Sequence, residues 1–119
     1  MRLTHLGHSC LLVEIADQRL LIDPGGWSAG FEELTGLDAI LVTHQHADHL
    51  DIGRLRGVLA RNSGVALYSD PQTAAILAAD GLTAGVLRQG DDLSFGAVTV
   101  SPRASIVKPI VRRRERLSW

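Results

Sequence analysis

The stretch Asp38-Ala39-Ile40-Leu41-Val42-Thr43 runs without a break into His44-Gln45-His46-Ala47-Asp48-His49, and this junction limits the folds open to the chain more than any other feature. A nearly continuous apolar run suits a strand buried on both faces, as in a sheet covered by helices. The window that follows has the opposite character. His44, His46, Asp48 and His49 are all strong metal ligands. The chain has 5 histidines in all, and gathering three of them in so short a window is a concentration that composition does not explain.

The spacing carries a chemical consequence. A cluster that follows a buried strand has its backbone anchored on a rigid element. His44 and His46, two apart, can point to one side of an extended segment. Asp48 and His49 come as the chain turns toward a helix, so they can approach from another direction. Imidazole and carboxylate ligands suit zinc, and also manganese or iron. One segment can thus feed two metals set side by side, which can polarise a substrate oxygen and make water a nucleophile near neutral pH. The competing reading is a solvated loop that happens to be rich in histidine. The agreement of spacing, ligand type and preceding strand argues against it.

The surrounding pattern is that of a mixed sheet with helices on its outer face. Arg2 to His5, Ser9 to Ile15 and Arg19 to Asp23 read as strands, with Gly7 as a break and Ala16-Asp17-Gln18 as a hairpin turn. Phe31 to Leu34 reads as a short helix. Ile52, Leu55, Val58 and Leu59 have helical spacing, with Asp51 at the start. Val65 to Ser69 is the next strand. Asp70 is an N-cap with Pro71 at the first helical position, Ala74, Leu77 and Ala78 form the apolar face, and Gly81 ends the helix. Val86-Leu87 is a short strand, and Leu93 to Phe95 with Ala97 to Val100 reads as a hairpin around Gly96.

Composition excludes several classes. The chain has 119 residues, fitting one domain, and is 45% hydrophobic, enough to bury a core. No run approaches the ~18 apolar residues of a membrane span, and Met1 to His5 is no signal-peptide core. The expected location is cytoplasmic, with no membrane partner. Cys10 is the single cysteine, so no internal disulfide can form, and its apolar neighbours suggest packing as a small hydrophobe. Net charge is −1 but unevenly placed. Residues 1–102 hold 6 basic and 12 acidic residues, whereas residues 103–119 hold 6 basic and 1 acidic. The basic run Arg112-Arg113-Arg114-Glu115-Arg116 lacks an aromatic platform, and the acidic body would repel phosphate, so nucleic-acid binding is disfavoured.

Thr43-His44-Gln45-His46-Ala47-Asp48-His49-Leu50 resembles the His-x-His-x-Asp-His signature of the metallo-β-lactamase superfamily. Leu6-Gly7-His8-Ser9-Cys10 and Leu21-Ile22-Asp23-Pro24-Gly25 are similar to the opening of its lactonase-like branch. The resemblance covers residues 1–101, as the N-terminal half of a metallo-β-lactamase-like domain, and leaves 102–119 as an atypical basic tail. It implies an αββα sandwich, α+β in class, with two divalent metals at the sheet edge. Carried over by position, His44 and His46 bind the first metal, and Asp48 and His49 the second. Asp48 is also placed to handle protons of the bridging water. Asp23 becomes an acceptor for the other N–H of a ligand histidine, against the alternative of an Asp capping a Pro-Gly turn. His8 is a pocket candidate, and His5 a structural residue.

The implied activity is metal-dependent hydrolysis of an ester, lactone or phosphoester. Members of this superfamily carry further ligands after the central motif, yet no histidine follows His49 here. A catalytic zinc usually takes three protein ligands, so the chain reads as incomplete in ligands, and a non-catalytic fragment that binds metal weakly is the alternative. Two origins fit the change near residue 103. One is a divergent extension. The other is a shifted reading frame, because Arg103 to Ile110 can be back-translated so that a frame two nucleotides on reads His-x-x-x-His, a spacing lactonase-like members show there. The coding DNA separates the two.

Overall fold

Alternation along three adjacent strands sends side chains into two separate cores. The structure is a computed structural model that describes residues 1–43, 46, 49–95, 97–101, 110–112 and 116–118. Its strands are β1 (Arg2–His5), β2 (Leu11–Ile15), β3 (Gln18–Ile22), β4 (Ala39–Val42), β5 (Ala66–Ser69), β6 (Gly85–Val86), β7 (Leu93–Phe95), β8 (Val98–Ser101), β9 (Ile110–Arg112) and β10 (Arg116–Ser118). Its helices are α1 (Ile52–Arg61) and α2 (Pro71–Ala79), with a 3-10 turn at Phe31–Glu33.

The first sheet has the order β1-β2-β3-β4-β5-β6 and the second β7-β8-β10-β9. β1, β2 and β3 are antiparallel neighbours. Ala16 and Asp17, both at positive φ, make the two-residue turn between β2 and β3 whose twist matches a hairpin. From β3 to β6 the pairing is parallel, and α1 and α2 are the crossovers from β4 to β5 and from β5 to β6.

Leu12, Leu21, Ile40 and Val42 pack with Phe31, with Leu55 and Val58 of α1, and with Leu77 of α2. Their neighbours Val13, Leu20, Ile22, Ala39 and Leu41 pack the other way, against Val98 and Val100 of β8. β4 is buried along its whole length, as its apolar run predicts. One face meets helices and the other meets a second sheet, as the resemblance to an αββα sandwich implies; the apolar run by itself suggests only a sheet covered by helices. The layers are thus helix, sheet, sheet, consistent with part of an αββα sandwich. Each large side chain removed from water here contributes roughly 1.5–3 kcal/mol.

The expected caps form. The Asp51 carboxylate accepts from the Arg54 N–H at 3.1 Å, and that of Asp70 from the Thr73 N–H at 3.1 Å. Gly81, at φ 79°, closes α2 by donating to Ala78, while Leu82 donates to Leu77. Two of the carbonyls left over at the helix end are thereby satisfied. The inward face of α2 departs from expectation, with Thr73 and Leu77 buried and Ala78 exposed. β2 starts at Leu11 rather than Ser9, because Gly7 and His8 take positive φ and Cys10 donates back to Gly7. Gly96 lies outside the described residues. β10 lies parallel to β8 and antiparallel to β9, so parts of the basic C-terminal stretch join the second sheet. Among the described residues, no helix is long and apolar enough to cross a membrane.

The parallel pair Tyr68–Gly85 makes a tight contact. A Cβ on Gly85 would lie 2.5 Å from the Tyr68 ring. Gly85→Ala is therefore expected to displace that ring and lower stability by about 1–3 kcal/mol. Urea denaturation checks this, and a Tyr68→Ala background should remove most of the penalty; an undiminished penalty there would assign the effect elsewhere.

Candidate functional site

The site forms where β3 and β4, adjacent and parallel, both end. Ile22 pairs with Leu41, so Asp23 comes next to Val42, one residue short of Thr43. Asp23 leaves the strand at φ 52°, a left-handed conformation that Asp tolerates better than most residues. Its N–H still donates to Leu41 at 2.9 Å, and its carbonyl accepts from Gly25 at 2.8 Å. The turn aims the side chain inward, where it is 3% exposed.

That carboxylate is a hub. Oδ1 accepts from the Thr43 N–H at 2.7 Å. Oδ2 accepts from the Thr43 hydroxyl at 2.5 Å and faces His49 Nδ1 at 2.9 Å. A carboxylate against Nδ1 favours the tautomer with its proton there, which places the ring's lone pair on Nε2. A metal-binding imidazole needs that lone pair. The contact also sets the plane of the ring.

The backbone around His49 is tied on both sides. The carbonyl of His46 accepts from the N–H groups of His49 at 2.8 Å and Leu50 at 2.9 Å, and Asp51 donates to Pro24 at 3.0 Å. Buried Leu50 anchors the turn in the helix-side core. The His46 side chain is exposed. His44 and Asp48, the other two residues of the expected ligand set, lie outside the described residues. Among the described residues no group of three or more His, Cys, Asp and Glu is gathered to hold a metal. The donor chemistry still fits a divalent metal, since the His49 ring is oriented by a buried carboxylate in the manner of ligand histidines.

His8 stands beside this pair. Its ring is edge-on to Trp27, with centroids 4.8 Å apart, and edge-on to His49 at 6.2 Å. His5 Nε2 lies 2.5 Å from the His8 carbonyl and supports that turn. Cys10 is fully buried, and burial first, then the charge of Asp23, pushes its thiol up to about 12. It remains a thiol that packs as a hydrophobe rather than a thiolate ligand.

Three contributors escaped sequence reasoning. Thr43 was visible only as the end of a strand, although its hydroxyl and N–H both serve Asp23. Trp27 lies in a glycine-flanked loop with no periodicity to place it. Arg54 reaches from α1 to the Gly25 carbonyl at 3.3 Å and the Gly26 carbonyl at 3.5 Å, and pairs with Glu32. Only the position of Arg54 in the first turn of a helix was legible.

Comparison with known proteins gives the same assignment as the fold. A family profile described as a beta-lactamase superfamily domain matches residues 2–116, a span that includes most of the basic stretch. Protein Rv0786c of Mycobacterium tuberculosis is 53% identical over 100 residues, which is 84% of this chain and 46% of that protein. A UPF0173 metal-dependent hydrolase of Aeropyrum pernix is 34% identical over 84 residues, 65% of this chain and 33% of that protein. A crystal structure from Parabacteroides distasonis, of a protein assigned as a metal-dependent hydrolase, superposes with a TM-score of 0.64 at 26% identity. That match covers 76% of this chain and 38% of the other. The chain therefore spans less than half the length of each of these relatives. With its profile match running nearly end to end, the chain belongs to the beta-lactamase superfamily domain family.

Proposed function

We propose that this chain provides the metal-binding half of a hydrolase site, with His44, His46, Asp48 and His49 as ligands and Asp23 as the acceptor that orients His49. The observation that carries this reading is the buried Asp23 carboxylate, 2.9 Å from His49 Nδ1 at the carboxyl ends of two parallel strands. The relatives named as metal-dependent hydrolases support it. Zinc is the metal the donor set favours, with manganese and iron as alternatives. A divalent metal held there would polarise a substrate oxygen and make water a better nucleophile at neutral pH.

The chain's own residues have separable tasks. Asp23 fixes the tautomer and plane of His49. Thr43 donates two hydrogen bonds to Asp23 and keeps that carboxylate in place. Asp48 accepts a proton from the attacking water. His8 lines the approach. The substrate is a small ester, lactone or phosphoester, and the location is the cytoplasm.

A second reading, a non-catalytic fragment, is favoured by one feature: no histidine follows His49. Two protein ligands per metal leave the remaining positions to water. Zinc should then bind well short of the ~10–16 kcal/mol of structural sites with a full ligand set. Titration calorimetry on the 119-residue chain checks this; a tight site taking two equivalents of zinc would mean that other residues complete the ligand set. A hydrolysis screen at saturating zinc or manganese, with phenyl acetate, a γ-lactone and a phosphodiester, then separates the readings. Turnover lost in Asp48→Asn supports the hydrolase, and no turnover on any of the three supports the fragment.

A further inference from the structure

We propose that Trp27 is the substrate-contacting platform beside this site, and that it selects substrates carrying a flat, apolar ring next to the bond cleaved. The inference deepens the hydrolase reading and rests on it for the word substrate; the recognition of a ring stands on the geometry of the loop.

Trp27 is the most exposed large apolar residue among those described, at 71%. An exposed indole on a mobile loop would be unremarkable surface, but the backbone on both sides of this one is fastened. Ala29 donates to the Leu6 carbonyl at 2.9 Å, and Ser28 donates to Gly25 at 3.2 Å. The Ser28 hydroxyl, on a buried residue, donates to the Gly7 carbonyl at 2.9 Å. A Cβ on Gly7 would already touch the Trp27 carbonyl at 3.4 Å. From the other side the Arg54 guanidinium reaches the Gly25 and Gly26 carbonyls while lying 4.1 Å above the Phe31 ring. The loop is clamped between the β1–β2 turn and α1, and its one large side chain is left in water.

The position of that side chain gives the ligand. The His8 ring makes T-shaped contacts with Trp27, at 4.8 Å between centroids, and with His49, at 6.2 Å, so ring contacts link the indole to the proposed metal-ligand histidine. A group held on the indole face is therefore one imidazole ring away from His49, a separation that one small molecule can span. An indole face favours flat, apolar, π-bearing groups, in offset-stacked or edge-to-face geometry. Because the loop is already ordered, little conformational freedom is lost when a ligand settles on it, which is how a preorganised contact adds affinity.

The test uses phenylacetate and acetate, two carboxylates of the kind ester hydrolysis releases, differing by one ring. Trp119→Phe leaves Trp27 as the one tryptophan of the chain, so its emission reports directly. Phenylacetate should change that emission saturably, with or without zinc, and acetate should not at the same concentration. By ligand-observed NMR, Trp27→Ala should weaken phenylacetate at least ~5-fold, whereas Trp27→Phe should keep it within about twofold. Arg54→Ala, which frees the loop without touching the indole, should weaken it by a smaller factor. Equal responses to the two carboxylates, or no loss in Trp27→Ala, would overturn the proposal. So would emission already blue-shifted and shielded from iodide, which would mean that another protein surface covers the ring. Failure of zinc to bind while ring selectivity persists would sink the metal-site reading and leave the ring platform standing.

Discussion

Asp23→Ala is expected to lower the stability of the chain by about 3–5 kcal/mol. The carboxylate is almost fully buried and satisfies the Thr43 N–H, the Thr43 hydroxyl and His49 Nδ1. Alanine would leave those donors in a space too small to hydrate them freely, and each stranded donor costs roughly 1–3 kcal/mol. The φ of 52° adds to the loss, since alanine takes that conformation at about 1 kcal/mol. Asp23→Asn keeps the shape and tolerates the backbone, so it should lose less stability. It offers only one acceptor oxygen, however, and should lose the fixed orientation of His49. Chemical denaturation reads the first effect, and the NMR tautomer signature of the His49 ring reads the second. A loss under about 1 kcal/mol in Asp23→Ala would mean that the hub is not formed in solution.

The second large effect belongs to Phe31→Ala, at about 3–5 kcal/mol. Phe31 is fully buried in the helix-side core. Its ring also carries the Arg54 guanidinium at 4.1 Å, a stacking that holds Arg54 over the Gly25 and Gly26 carbonyls. Removing the ring opens a cavity and releases the clamp on the Trp27 loop together. Trp27→Ala, at an exposed side chain, should stay within about 0.5 kcal/mol and serves as the control. Equal losses in the two variants would show that the loop, rather than the core beneath it, carries the stability.

The parts of this structure that local chemistry dictates were readable in advance. Asp51 and Asp70 cap their helices because a short carboxylate just before the first turn can accept from the N–H three residues on, and β4 is buried because no residue from Ala39 to Val42 is polar. What covers β4 is not readable from the run itself, since a helix and a second sheet present the same apolar surface to it; the second sheet is legible only through the resemblance to an αββα sandwich. The inward face of α2 went astray for a related reason: its stretch is apolar nearly all round, so periodicity alone could not choose Thr73 over Ala78. At the site, Asp23 was legible as a candidate partner for a ligand histidine only through the family resemblance, while its place before Pro24-Gly25 pointed equally to a turn cap. Its partners were not, because Thr43 and His49 reach it through a parallel pairing that joins segments distant in sequence. The change in charge near residue 103 was plain in composition, but composition could not place β9 and β10 beside β8.

The central claim is that the histidine cluster after β4 binds metal, and zinc titration calorimetry on His46→Ala and His5→Ala tests it most directly. His5 sits on β1, paired with Leu11, and its ring meets the His8 carbonyl rather than the histidine cluster, so its loss should leave zinc affinity within about twofold. His46→Ala should weaken zinc by at least ~10-fold, since removal even of the outer partner of a ligand histidine typically costs 10–100-fold. Equal zinc affinity in the two variants would contradict the account and move the metal site, if the chain has one, away from this cluster.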